Sequence, residues 1–282
     1  MLLGYNTNGL AHHRLVDAIH LLADEGYQSI AITLDAGALD PYDDPRTLAR
    51  QVEAVRAALD TRGLARVIET GARFLLNPRK KHDPTLLDPD PARRAIRADF
   101  LRRSIALAVE LGASVVSTWS GAAPPEHDEA ALYDRLVSEL HPLLEQAAST
   151  GVTIGFEPEP GMFIDTMSRF AQLDARVRHP AFQLTLDIGH VHCLESEPIA
   201  SVIRAWAPRI VNVHIEDMVA GVHEHLPFGA GTIAFPPVLQ ALADAAYRGG
   251  LHVELSRQSA DGARALLDAA AFLRGIWPAS PG

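Results

Sequence analysis

Three carboxylates and one imidazole stand at matching places in the second half of the chain: Glu157, Asp187, His214 and Glu254. Each ends a short alternating run. The runs are Val152-Thr153-Ile154-Gly155-Phe156-Glu157, Leu184-Thr185-Leu186-Asp187, Val211-Asn212-Val213-His214 and Leu251-His252-Val253-Glu254. Side chains alternate faces along a strand, so in every run the ligand-type group points away from the aliphatic face. Any one of the carboxylates could be a helix cap or an ion-paired structural group. As a set on successive strands they suit a divalent cation better, because inward carboxylates with no counter-charge repel one another. Oxygen-rich donors favour Mn²⁺ or Mg²⁺, and the imidazole also admits Co²⁺ or Zn²⁺. Such an ion could chelate a carbonyl and a neighbouring hydroxyl and favour loss of the C–H proton between them as an enediolate. Two flanking carboxylates could then remove and return that proton. On opposite faces they would give epimerisation and on one face isomerisation; the sequence leaves both open.

Other residues form a second rank. His190, His223 and His225 could bind a second metal, contact substrate hydroxyls or simply lie in polar loops. Glu159 shares the parity of Glu157 and would line the same site, while Trp119 could stack on a sugar or pack in the core. Arg257, just past Glu254, is a candidate for gripping substrate. The basic stretch Arg79-Lys80-Lys81-His82, with Arg73 before it, could hold a phosphate or be a solvated loop balanced by Asp83 and Asp88. Cys193 has no catalytic partner nearby in sequence and reads as inert, and His12, His13 and His20 read as structural.

The elements that would position these groups recur in a regular order. Candidate strands are Leu2–Asn6, Ser29–Leu34, Arg66–Glu69, Ser114–Thr118, Val152–Glu157, Phe182–Asp187, Ile210–Ile215 and Leu251–Leu255. Helical periodicity marks Pro45–Arg62, Ala92–Glu110, Ala130–Ser149 and Phe235–Tyr247, among other segments. Gly26, Gly63, Gly112, Gly151 and Gly249 stand where a helix gives way to a strand, a place suited to a left-handed residue. The alternation predicts one α/β domain over 1–282, a single (β/α)8 TIM barrel. An open doubly wound sheet is disfavoured, since Gly4-Tyr5-Asn6-Thr7-Asn8-Gly9 lacks the spacing of a dinucleotide fingerprint. All four opening residues then fall at the C-terminal ends of strands, where barrel enzymes carry their chemistry. The Pro- and Asp-rich stretch His82 to Pro91 lies on that same face and reads as a lid or substrate wall.

A formal charge of −10 argues against a protein that grips nucleic acid through its phosphates. A single cysteine, no signal sequence and no membrane-length apolar run predict a cytoplasmic protein with no membrane contact. The expected partner is a small polyhydroxylated molecule, and self-association into a homo-oligomer stays open.

The segments Gly155-Phe156-Glu157-Pro158, Leu186-Asp187-Ile188-Gly189-His190, His214-Ile215-Glu216-Asp217, His223 to Gly231 and His252-Val253-Glu254-Leu255 give the chain a familiar look. It resembles the xylose-isomerase-like barrel superfamily, which contains sugar isomerases, ketose 3-epimerases, inosose dehydratases and apurinic endonucleases. The resemblance implies that Glu157, Asp187, His214 and Glu254 hold one divalent ion, and that Glu157 and Glu254 also move protons. His190 matches a position that binds substrate in the epimerases and metal in the endonucleases; His225 matches an endonuclease ligand, and His223 stands where that group has Asp. Two departures mark the chain. Glu69 to Phe74 and Ser117 to Gly121 carry none of the histidines that complete the endonuclease site, and Asp217 to Ala220 lacks the epimerases' arginine. The resulting expectation is a metal-dependent isomerase or epimerase of a small sugar, ketose or inosose. A hydrolase, a dehydratase and a non-catalytic binding or trafficking protein are the alternatives.

Overall fold

The alternation closes on itself. In a computed structural model that describes residues 1–125 and 128–278, eight parallel strands are hydrogen-bonded in a closed ring. These are β1 (Leu2–Asn6), β2 (Ser29–Thr33), β3 (Ala65–Glu69), β4 (Val115–Thr118), β5 (Thr153–Phe156), β6 (Phe182–Asp187), β7 (Ile210–Ile215) and, after an inserted hairpin, β10 (Gly250–Val253). Closure comes from β1 against β10, in register from Leu2↔Gly250 to Tyr5↔Val253. Glu157 and Glu254 lie just past their strands, which end one and two residues earlier than expected. The helices α1 (Leu15–Asp24), α2 (Pro45–Arg62), α3 (Pro91–Leu111), α4 (Glu129–Thr150), α5 (Met167–Val177), α6 (Ile188–Leu194), α7 (Ile199–Trp206), α8 (Phe235–Asp244) and α9 (Gly262–Ile276) follow the strands in sequence.

Local chemistry sets the helix bounds. Asp44 accepts from the backbone N–H of Arg46 and Thr47 ahead of Pro45, and Asp90 from that of Ala92 ahead of Pro91. An acceptor followed by a proline that needs no partner is a strong start signal. Gly63, Gly112 and Gly151 end α2, α3 and α4 in the left-handed region. The expectation for Gly249 is wrong: Ala246 takes the positive φ, 54°, and α8 stops at Asp244 rather than Tyr247. Tyr247 turns back instead, its hydroxyl donating to Gly250 O at 2.9 Å. A side chain at Gly249 would strike that ring, since its Cβ would lie 2.3 Å from the Tyr247 hydroxyl.

Aliphatic faces of the strands pack outward onto the helices. Behind β5 and β6, Phe156, Phe170 and Phe182 form one cluster, with centroids 5.4 Å apart for Phe156–Phe182 and 5.6 Å for Phe170–Phe182. Pairs of this kind add about 0.5–1.5 kcal/mol beyond area burial, so the wall carrying Glu157 and Asp187 is stiff. Inside the barrel a small plug of Ala31, Val67 and Val115, joined by Val211, fills the lower level. Val211 should face outward by parity. A register shift opposite Leu184/Thr185 gives β7 an extra residue there, and such a bulge re-aims side chains. Above the plug the interior is polar.

One element has no counterpart in the expected barrel. Asp217–Val219 and Val222–Leu226 form an antiparallel hairpin, β8 and β9, turning at Gly221 with φ 77°. It stands beside α6 at the mouth of the barrel and carries His223 and His225. No described helix is long and apolar enough to cross a membrane.

Candidate active site

Glu157, Asp187, His214 and Glu254 converge at the C-terminal mouth, with one donor atom from each lying within 4.8 Å of the others. His214 is the hub. Its Nδ1 lies 3.1 Å from Glu157 Oε1, 3.0 Å from Glu254 Oε2 and 3.8 Å from Asp187 Oδ2. Burial opposes a charge on this imidazole, but Glu69, Glu157 and Glu254 outweigh it and raise its pKa well above the usual value. In the absence of a cation, an imidazolium therefore supplies the counter-charge. Burial lifts Glu157 well above the ordinary carboxylate range. Glu254 is only partly exposed and desolvation works against its charge, yet His214 prevails and holds its pKa low. For Asp187 burial is likewise the largest influence, and His190, His225 and His214 together overcome it and lower the pKa.

The two oxygens of Asp187 divide their work. Oδ1 caps α6, accepting from His190 N–H at 2.8 Å, while Oδ2 is buried with no hydrogen-bond partner. Cap and candidate ligand are thus the same residue. A buried carboxylate oxygen left unpaired is costly, and one facing three further donors is what a resident cation would relieve. The four residues fit a hard divalent ion on chemistry and on reach.

The second histidine group lies alongside. His190, His223 and His225 also offer donor atoms within 4.8 Å of one another. His190 Nδ1–H donates to Pro158 O at 3.1 Å, which leaves Nε2 as a lone pair 3.1 Å from His223 Nε2. Burial lowers His190 to about 4 and lowers His223 as well, so both are neutral near pH 7. His225 differs. Burial disfavours its charge, but Glu216 raises its pKa well above normal from 3.7 Å away.

Glu216 carried no expectation as a site residue, yet it is fully buried and neither oxygen has a hydrogen-bond partner. It forms a third donor group with Asp187 and His225, and burial, then Asp187, pushes it up to about 8. Gly189 makes the room, since a Cβ there would come 2.0 Å from Glu216 Oε1. Its position two residues after His214, with the same parity, was the available signal. Asn8 is a second omission: its Nδ2 donates to Glu254 Oε1 at 2.7 Å, and its place after β1 gave little to read. Glu69 is a third, set 2.9 Å from His214 Nε2 at the end of β3.

The remaining candidates spread around the mouth. Glu159 is pushed up to about 7, by burial and then by Glu254, and the Lys81 ammonium partly offsets the rise. Trp119 has its face covered by the Arg97 guanidinium at 4.7 Å and meets His82 edge-on at 5.3 Å. It helps line a cavity of about 350 Å³ with Lys80, Lys81, Leu87, Pro125 and Met162. Arg257 lies at the rim, paired with Glu224 at 2.6 Å and more than half exposed. In the basic loop, Arg73 is taken by Asp35 at 2.6 Å and Lys80 by Asp83 at 3.2 Å, while Arg79 is exposed. Cys193 is buried and burial raises its thiol pKa.

Residues 19–276 match the model of the xylose isomerase-like TIM barrel family. The L-ribulose-5-phosphate 3-epimerase UlaE of Shigella flexneri is 24% identical over 198 residues, covering 69% of each chain. Among solved structures, D-allulose 3-epimerase from Methylomonas sp. superposes with a TM-score of 0.77 at 20% identity, over 98% of both chains. The 3-keto-D-glucoside 4-epimerase YcjR from E. coli gives a TM-score of 0.78 at 19% identity, over 98% of this chain and 99% of that one. At such identities the structural likeness shows the fold.

Proposed function

The chain belongs to the xylose isomerase-like TIM barrel family, and on that footing we propose that it is a divalent-metal-dependent epimerase of a sugar or similar polyhydroxylated carbonyl compound. The sugar epimerases among its relatives support the reaction class. One observation carries the reading furthest: Glu157 and Glu254 approach the same His214 Nδ1 from strands separated in the ring by β6 and β7. A carbon held between them can be reached from two sides, which suits epimerisation better than isomerisation.

Glu157, Asp187, His214 and Glu254 would hold the ion, which when bound would polarise a carbonyl and adjacent hydroxyl and so acidify the C–H bond between them. The chain's own groups do the rest. One of Glu157 and Glu254 takes the proton from carbon, the other returns a proton to the opposite face, and the carboxyls exchange roles in the reverse direction. Asn8 holds Glu254 by Oε1, leaving Oε2 for the reaction side. His190 and His223 offer neutral nitrogens to substrate hydroxyls, and Glu159, poised near neutrality, can accept or donate. Trp119 and Met162 wall a cavity beyond the end of β4, which would take the unreacting end of the substrate.

The three-histidine group favours a second reading, a two-ion hydrolase of a phosphate ester, because it could hold another ion beside the first. The test is exchange of the substrate's carbon-bound hydrogen with solvent deuterium, run on ketoses and their 3-epimers. Label should enter in the wild type, and turnover should fall by at least about 10²-fold in Glu157→Gln and Glu254→Gln when metal content is kept equal. Turnover without label entry would sink the enediolate route.

A further inference from the structure

We infer that Glu69 is the positioning residue of the metal centre: it fixes the tautomer and orientation of His214 so that Nδ1 faces the carboxylates. This rests on the metal-site reading above. Inside the barrel five buried side chains form one hydrogen-bonded line. Ser29 Oγ lies 2.8 Å from His252 Nε2, and His252 Nδ1 lies 2.8 Å from Asn212 Oδ1. Asn212 Nδ2 donates to Glu69 Oε1 at 3.0 Å, and His214 Nε2 lies 2.9 Å from that same oxygen.

Asn212 Nδ2 and His214 Nε2 lie 3.2 Å apart and converge on the same Glu69 oxygen, so with Glu69 ionised both act as donors to it and the protons along the line follow. Asn212 must present its oxygen to His252 and its amide hydrogens to Glu69, because a carboxylate can only accept. His252 then carries its hydrogen on Nδ1, and its Nε2 accepts from the Ser29 hydroxyl. Glu69 accepts from both Asn212 and His214, so the hydrogen of neutral His214 is on Nε2. The Nδ1 lone pair is thereby left free on the side of Glu157, Asp187 and Glu254, as ligation requires.

The seat of this line is built for it. A Cβ at Gly4 or at Gly250 would come 2.5 Å or 2.4 Å from the His252 ring, so both strands yield space to the imidazole. His252, Asn212 and His214 are each no more than 1% exposed, and Glu69 is 6% exposed. Asn212 also sits directly above the β7 bulge, which brings Val211 into the apolar plug below it. Held from below, the His214 ring cannot swing without leaving buried partners unpaired.

The experiment is a cobalt(II) titration of metal-free wild type, Glu69→Gln and Glu69→Ala, following the d–d absorption bands and the melting midpoint of each metal-free protein. Glutamine keeps an oxygen acceptor at the same reach, so its band shape should match the wild type. Alanine should bind about 10–100-fold more weakly, with altered bands as the imidazole turns or changes tautomer. A merely structural residue would lower the melting midpoint and leave band shape and affinity of the folded protein alone; that result overturns the inference. Equal loss in the glutamine and alanine variants would also overturn it, because charge and not the hydrogen bond would then be responsible. If Glu69→Ala does not fold, Asn212→Leu removes the other donor to Glu69 and should change the bands in the same sense; unchanged bands there count against the role. Failure of the wild type to bind cobalt would instead remove the metal centre itself.

Discussion

The two donor groups at the barrel mouth differ in how they are held. The tetrad of Glu157, Asp187, His214 and Glu254 stands at the ends of barrel strands, and three of its members are braced: Asp187 by the start of α6, Glu254 by Asn8, His214 by Glu69. The group of His190, His223 and His225 draws two of its three members from the partly exposed β8–β9 hairpin; Glu216 stands 3.7 Å behind His225, and His190 alone touches the tetrad, 3.5 Å from Glu157 and 3.7 Å from Asp187. A braced site can hold an ion in fixed geometry, whereas a hairpin wall can adjust to what enters. On the proposed function, the first group would carry the chemistry and the second the recognition.

The severest test of that contrast is removal of a braced ligand. His214→Ala or Asp187→Asn should weaken binding of the tight ion by more than about 100-fold, since remaining donors cannot restore the geometry. Unchanged metal content in both would show that the tetrad is misassigned. A smaller effect is expected from the triple substitution of His190, His223 and His225 to Ala. It should keep the tight ion and reduce kcat/KM by about 10–100-fold, the scale of several lost hydrogen bonds to substrate. Loss of one full equivalent of metal would bring back the two-ion hydrolase.

Acidity sharpens the same comparison. The raised pKa of His214 means that the metal-free tetrad carries a proton near neutrality, and an ion must displace it. Apparent affinity should therefore rise with pH, by up to about tenfold per unit, until the pH exceeds that pKa. Isothermal titration in buffers of different ionisation enthalpy would count the proton released. A pH-independent affinity between pH 6 and 8 would contradict a protonated hub. The smallest effect belongs to the basic loop: Lys80→Ala with Lys81→Ala should raise KM for a phosphorylated ketose by about 3–10-fold and leave that of the free ketose unchanged, as expected for an exposed charge contact. Equal effects on the two substrates would place the lysines outside the recognition of phosphate.

How far the sequence could be read follows from what each residue needed. Parity and strand ends were enough to place Glu157, Asp187, His214 and Glu254 together, because a barrel makes equivalent strand ends converge. Glu69 ends a run in which Val67 shares its parity and Ile68 does not, so alternation left its direction open. The bulge at Val211 and the hairpin after His214 were out of reach of periodicity, being insertions that break it. Glu216 was hidden for another reason: a carboxyl just past the end of a strand reads as solvent-facing unless Gly189 and the α6 turn are known to cover it. Gly249 shows the reverse error, a residue type credited with a backbone role that Ala246 fills.

The divided carboxylate of Asp187 also bears on time. One oxygen closes the first turn of α6, so whatever restrains the other oxygen slows the fraying of that turn. His190 rides on it, within reach of the hairpin histidine. An occupant of the tetrad would therefore also steady the one histidine through which the two groups touch.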